Sequence, residues 1–206
     1  MTFKEKLLDK SESLFFRYGI RSVAMDDLAR ELGVSKKTLY QAVANKEELV
    51  REIFARRSAE EAAYVAQLRS DADNAIDEVL RTARYMINRF RSFTPTMRYD
   101  LLKYYRELHI QIEALHKVFF QQLVCENIIK GQEQKLYRDN LNPEIISRLF
   151  IKMATSMGDI EHFPAQTFTM DELLRQLFRY HIHGLASPEG LVLLKEYLGI
   201  IPQENL

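Results

Sequence analysis

The chain is poor in the residues that would pin it to a compartment or a membrane. Its 206 residues include one cysteine, no tryptophan, five prolines and seven glycines. A single thiol, Cys125, closes no internal disulfide, so nothing points to an oxidising compartment. The longest apolar run, 62–66, falls far short of the roughly 20 residues that cross a bilayer, and no membrane partner is expected. The opening MTFKEKLLDK lacks the basic-then-apolar layout of a secretory signal, which leads to the expectation of a cytoplasmic protein. An excess of one charge is missing too: 29 Lys+Arg stand against 29 Asp+Glu. With 47% hydrophobic residues, this balance excludes a disordered tail protein. A neutral total argues against a nucleic-acid partner until its distribution is read. Residues 1–57 hold 12 basic and 9 acidic side chains, the remainder 17 and 20, a mild asymmetry that suggests two parts with different roles.

Glycine and proline fall almost wholly at boundaries. Neither occurs between Gly33 and Pro95, nor between Pro95 and Gly131, and long stretches free of both breakers read as helices. Within them apolar residues recur at three and four. Ile76, Val79, Leu80, Ala83, Ile87 and Phe90 form one stripe; Leu101, Tyr105, Leu108, Ile112, Leu115 and Phe119 form another. No alternating strand pattern, repeat or low-complexity tract appears, so the predicted fold class is all-α. The predicted helices are 3–18, 25–32, 36–43, 46–68, 72–92, 96–105, 107–130, 143–157, 170–184 and 189–198, with a polar-aromatic loop over 158–169.

The first fifty residues carry the chemistry. The first helix is expected to bury Phe3, Leu7, Leu14, Phe15 and Tyr18 and to end at Gly19, a residue suited to a left-handed cap. The second places Met25, Leu28, Ala29 and Leu32 on one face, with Asp26 and Asp27 in the first turn, where the helix dipole favours negative charge. Gly33-Val34-Ser35 turns the chain, and Ser35 is placed to N-cap the third helix. In that helix Leu39 and Val43 pack back, while Lys36, Lys37, Tyr40 and Gln41 share the opposite face. Two cations, a phenol and an amide on a short exposed helix suit a duplex groove: lysine reaches phosphates or guanine edges, and glutamine pairs with adenine. Helix, tight turn and polar outer helix make a helix-turn-helix. At Asn45-Lys46-Glu47-Glu48, a capping box of Asn45 and Glu48 opens a fourth helix and leaves Lys46 in its first turn. A cation is disfavoured there, and an arriving phosphate relieves the misfit. The alternative is that these charges form an ordinary solvated face.

Leu14-Phe15, Gly19, Met25-Asp26-Asp27-Leu28-Ala29, Gly33-Val34-Ser35, Thr38-Leu39-Tyr40 and Lys46-Glu47-Glu48-Leu49 together resemble the TetR family of transcriptional regulators over about the first 55 residues. Ala24 and Val43 depart from the pattern, standing where that family usually has threonine and phenylalanine. The resemblance implies a helix-turn-helix DNA-binding domain over 1–46 and a larger helical effector-binding and dimerisation domain over 47–206, with helix 46–68 as linker. It implies Ser35, Lys36, Lys37, Thr38, Tyr40, Gln41 and Lys46 as the DNA-facing set, with Lys36, Lys37 and Gln41 on base edges and the others on the backbone. It further implies a homodimer, binding a double-stranded palindromic operator and released from it by a small-molecule effector, that is, a repressor; the alternative is a dimeric DNA-binding repressor that is independent of any ligand.

For the dimer surface the candidates are Ile146, Leu149, Phe150 and Met153 on one helix and Leu174, Leu177, Phe178 and His181 on another, pairing as a four-helix bundle. Periodicity alone leaves open that these are ordinary monomer core. For the pocket, by analogy, the candidates are Tyr104, His109, Met157 and Phe163 within an aromatic-rich middle that also holds Phe93. An enzyme reading rests on Glu113-x-x-His116 with His109 one turn earlier, but the only second copy, Asp159-x-x-His162, lies in a loop beside Pro164. No catalytic residue, metal or cofactor is therefore expected.

Overall fold

Ten helices make up the regular structure of the described residues: α1 (Phe3–Tyr18), α2 (Met25–Leu32), α3 (Lys36–Ala42), α4 (Lys46–Ser70), α5 (Ala75–Arg91), α6 (Pro95–Tyr104), α7 (Arg106–Glu133), α8 (Pro143–Ser156), α9 (Met170–Leu185) and α10 (Pro188–Ile200). This computed structural model describes residues 1–91, 94–159 and 161–200. The expectations placed on the Phe90 side chain and on Phe93 lie outside the described residues. Among those described there is no strand, only an isolated antiparallel bridge between Tyr137 and Ala186. The break in the second apolar stripe is real: Tyr105, at φ −131° and ψ 43°, ends α6 although the stripe runs on.

The helix starts follow from side-chain caps. Thr2, Ser35, Thr94, Asn142 and Thr169 each accept a backbone N–H from the first turn of the helix they precede, satisfying donors that no helical carbonyl can reach.

The chain divides into two compact units. One comprises Met1–Tyr64 and Phe93–Ala114, the other Val65–Ser92 and Leu115–Leu206. The first unit thus runs past residue 46, the expected domain edge, and takes in α6 and the start of α7. Packing explains this. Leu49, Val50, Ile53 and Phe54 of α4, Met97 and Leu101 of α6, and Leu108 of α7 share one core with Leu7, Phe15, Leu28 and Leu39. Ion pairs from Arg56 and Arg57 to Glu12, and from Lys4 to Glu52, add further ties between α1 and α4. Tyr18, expected in this core, is instead exposed beneath the Arg17 guanidinium. Leu8 and Ser11 are buried on α1 in addition to Leu7 and Phe15.

In the second unit, one buried cluster joins Ala75, Ile76, Leu80, Ile128, Tyr137, Ile182, Leu185 and Leu194. Another joins Ile87, Phe150, Met157, Leu174 and Leu177. The buried Glu78 carboxylate is held by Arg69 at 3.0 Å and Lys130 at 2.8 Å, so its charge is paired on both sides.

Candidate nucleic-acid interface

The site is built from the α2–turn–α3 segment. Ala24 precedes α2 and has no side chain to cap it, but Asp27 accepts the Ala24 N–H at 2.8 Å, which keeps half of a capping box. Met25, Leu28 and Ala29 then fix α2 to the core. Gly33 ends the helix at φ 66°, in the left-handed region, and the Val34 N–H bonds to the Ala29 carbonyl at 3.0 Å. A Cβ on Gly33 would meet nothing within 4 Å, so it is the dihedral angle and not crowding that calls for glycine. Ser35 accepts the Thr38 N–H at 3.1 Å, and the two hydroxyls lie 2.9 Å apart.

This turn decides what α3 shows to solvent. Leu39 and Val43 are buried, and they hold the helix to the core beside Leu28 and Leu49. Ser35, Lys36, Lys37, Tyr40 and Gln41 are exposed on the outer side, Tyr40 to 47%, while Thr38 is half-buried. Lys36 Nζ lies 2.6 Å from the Asp26 carboxylate in a pair exposed on both sides.

Lys46 is placed differently. Asn45 accepts the Glu48 N–H at 2.8 Å and caps α4, while the Glu48 carboxylate returns a bond to the N–H of Ala44 rather than Asn45. Lys46 follows, half-buried, with its ammonium 5.7 Å from the centre of the Phe15 ring. Burial pushes the Lys46 amine below the usual lysine range; Asp100 opposes the shift, Arg21 adds to it and Asp27 opposes it. So six of the seven predicted contacts are grouped around the outer side of α3, and the seventh sits at the start of α4 in a partly desolvated setting. The sequence reading gave no role to Arg21, which lays its guanidinium over the Tyr104 ring at 4.3 Å. The two are 83 positions apart, and no local pattern signals such a pair.

Residues 7–53, which hold the whole of α2, the turn and α3, match the family model described as bacterial regulatory proteins, tetR family. Over this segment the chain is similar to the TetR family. It is similar to YvaF of Bacillus subtilis (strain 168), described as an uncharacterized HTH-type transcriptional regulator, with 26% identity over 173 residues that cover 82% of this chain and 88% of that protein. Its fold is similar to that of a transcriptional regulator from Cytophaga hutchinsonii ATCC 33406, with a TM-score of 0.75 and 15% identity over 89% of this chain and 98% of the other. It is also similar in fold to the reduced form of E. coli NemR, with a TM-score of 0.69 and 16% identity over 90% and 97%. The chain is a DNA-binding transcriptional regulator, not an enzyme.

The other predicted sites fare unevenly. Of the dimer candidates, Phe150, Leu174, Leu177 and His181 are buried in the protomer's own core, and Ile146 and Phe178 are half-buried. Only Leu149 and Met153 are exposed. They continue a stripe with Ile145 on α8, and on α9 the exposed residues are Glu172, Gln176, Arg179, Tyr180, His183 and Gly184. On α8 the outward face is therefore Ile145, Leu149 and Met153, of which Leu149 and Met153 were predicted, while Ile146 and Phe150 turn inward, because α8 carries apolar residues on both phases. The pocket candidates are divided between the two units. Tyr104 and His109 belong to the first unit, Met157 and Phe163 to the second. Met157 is buried in the core and Phe163 stacks edge-on with Phe168 at 6.1 Å. His109 stands 3.9 Å from Glu113, and His162 contacts Asp159 at 3.0 Å. Among the described residues no three His, Cys, Asp or Glu side chains converge as metal ligands would, and no helix is long and apolar enough to cross a membrane.

Proposed function

We propose that the protein is a homodimeric, cytoplasmic repressor whose paired α3 helices read a two-fold symmetric operator and whose larger unit takes a small-molecule effector that releases it. The observation that carries the reading is the orientation of α3: its leucine and valine face the core while Lys36, Lys37, Tyr40 and Gln41 face outward. In this reading Lys36, Lys37 and Gln41 reach base edges; Ser35, Thr38, Tyr40 and Lys46 hold phosphates. One such head offers too small an interface for tight specific binding, and two heads about one duplex turn apart overcome that limit.

The dimer surface in this proposal is the exposed stripe Ile145, Leu149 and Met153 with Tyr180, bordering a groove of about 730 Å³ between α8 and α9. Leu149 is 54% and Tyr180 71% exposed, more than a monomer gains from leaving such side chains in water. A second copy of the same helices would cover them as a four-helix bundle.

Effector control is supported by packing in the second unit. From Leu115 to Glu126, α7 holds no buried residue, although it carries Leu115, Val118, Phe119 and Phe120; the first two are each 68% exposed. Such an uncovered apolar-aromatic face suits an apolar effector with few polar groups. A crevice among α5, α9 and α10, lined by Val79, Ala83, Ile87, Phe178 and Ile182, measures only about 40 Å³. That tightness favours the alternative, a dimeric repressor indifferent to small molecules. Selection of bound fragments from random duplex DNA, with and without cell extract, tests both. The proposal expects a symmetric site whose occupancy falls when extract is added. Recovery of the same site at the same occupancy sinks effector release, and recovery of no common sequence sinks operator reading.

A further inference from the structure

Beside Lys46, the first unit carries cations that α3 does not account for, and they gather on α6. Arg21 lies over the Tyr104 ring at 4.3 Å. Lys103 stands over the same ring at 5.4 Å and over Tyr99 at 5.1 Å, and its Nζ donates to the Tyr99 hydroxyl at 2.6 Å. The two tyrosines meet edge to face at 6.5 Å. Two cations drawn to one aromatic ring gain from it but repel each other, and an anion within reach of both relieves the repulsion.

Among the described residues no carboxylate pairs with the Arg21 guanidinium or the Lys103 ammonium. Arg56, Arg57, Arg69, Arg81 and Arg148, by contrast, each hold at least one. The acid at hand, Asp100, is buried and serves the backbone: its Oδ2 accepts the Arg21 N–H at 2.8 Å. It sits so close under the α1–α2 turn that a Cβ on Gly19 would come within 2.8 Å of that oxygen. Thr94 adds a second tie, its hydroxyl donating to the Phe16 carbonyl at 3.2 Å. Thus α6 fixes the turn from which Arg21 reaches. The same turn returns to Lys46 through Phe15, whose carbonyl accepts the Gly19 N–H at 2.9 Å and whose ring lies under the lysine.

We propose that Arg21, held over Tyr104 beside Lys103, is a further DNA-backbone contact that takes a phosphate near the one bound by Lys46, with Asp100 as the positioning residue of its turn. This rests on the reading of α3 as the duplex-facing helix. A guanidinium stacked on a ring has few conformations left to lose when it meets a phosphate, and its fork matches two phosphate oxygens. The contact adds affinity without sequence preference.

The test is equilibrium binding of the full-length protein to a selected site and to a scrambled duplex, from about 50 to about 200 mM salt. Arg21→Ala is expected to weaken both complexes alike and to lower the salt slope by about 0.9, so that its affinity falls about threefold less across that range than the wild type's. Arg21→Lys should keep the wild-type slope. Tyr104→Leu, which retains every charge, should weaken both complexes at unchanged slope. Wild-type affinity and slope in Arg21→Ala overturn the proposal. A loss that Arg21→Lys does not restore, accompanied by a lower melting temperature, overturns it in favour of a structural role. If the wild type binds neither duplex, it is the α3 reading that has failed, and this inference with it.

Discussion

In the proposed reading, Lys46 serves both the fold and the DNA backbone. Its ammonium lies over the Phe15 ring at the start of α4, where the helix dipole and the desolvated setting both disfavour positive charge. A bound phosphate reverses both penalties. Lys46→Met, which keeps the packing and drops the charge, is expected to leave thermal stability within about 1 kcal/mol of wild type. It should weaken binding to every duplex and lower the salt slope by about one. Salt titrations on specific and random DNA measure this, and a mutant that loses only sequence preference would contradict the backbone role. Lys36 begins in an ion pair with Asp26, but an exposed pair is worth about 0–1 kcal/mol, so freeing the lysine for a base edge costs little. His181 illustrates a different residue-scale effect. Burial against Phe150, with ring centres 4.3 Å apart, pushes its pKa down to about 4 from 6.5. Between those values the unfolded chain binds a proton that the folded chain does not. Stability present above about pH 6.5 is therefore lost as the pH falls toward about 4, by about 3 kcal/mol at most. His181→Gln should show a smaller fall in melting temperature than wild type between about pH 7.5 and about pH 5. An equal fall would mean that His181 titrates normally.

Among the helices, what was legible in the sequence was what local chemistry determines. α1 and α2 begin and end where Gly19, Gly33 and the caps put them, and α3 shows the predicted face because Leu39 and the C-cap Val43 are the large aliphatic residues of this segment. Two things were illegible, for physical reasons. On α8 the stripes Ile145-Leu149-Met153 and Ile146-Phe150 are equally apolar, and only the neighbouring helices decide which one is buried. The place of α6 in the first unit depends on bonds such as Asp100 to Arg21, 79 positions apart, that leave no periodic trace. Gly131 belongs to the same class. It looks like an ordinary helix glycine, yet a Cβ there would lie 2.0 Å from the Tyr137 ring. That ring is buried, its hydroxyl 3.0 Å from the Ala75 carbonyl and 3.1 Å from Asn127 Oδ1. Gly131→Ala is expected to cost about 1–3 kcal/mol in urea unfolding through overpacking. A neutral or stabilising result, as helix propensity alone predicts, would show that α7 and Tyr137 are not so closely packed.

For the molecule as a whole, the account requires two copies. An exposed apolar stripe on α8 beside Tyr180 of α9 is the surface proposed to join them. Leu149→Glu should leave the helical spectrum unchanged, convert the species seen in sedimentation to a monomer, and reduce operator affinity much more than non-specific affinity. A variant that remains dimeric would move the interface elsewhere.

The claim on which everything else depends is that the outer face of α3 reads base edges. The direct measurement is the ratio of affinities for a selected site and a scrambled duplex, taken at one salt concentration for wild type, Lys37→Ala and Gln41→Ala. The account predicts that each substitution shrinks the ratio by about 1–3 kcal/mol while non-specific affinity changes far less. An unchanged ratio in both variants, or a wild-type protein that does not bind duplex DNA, would contradict it.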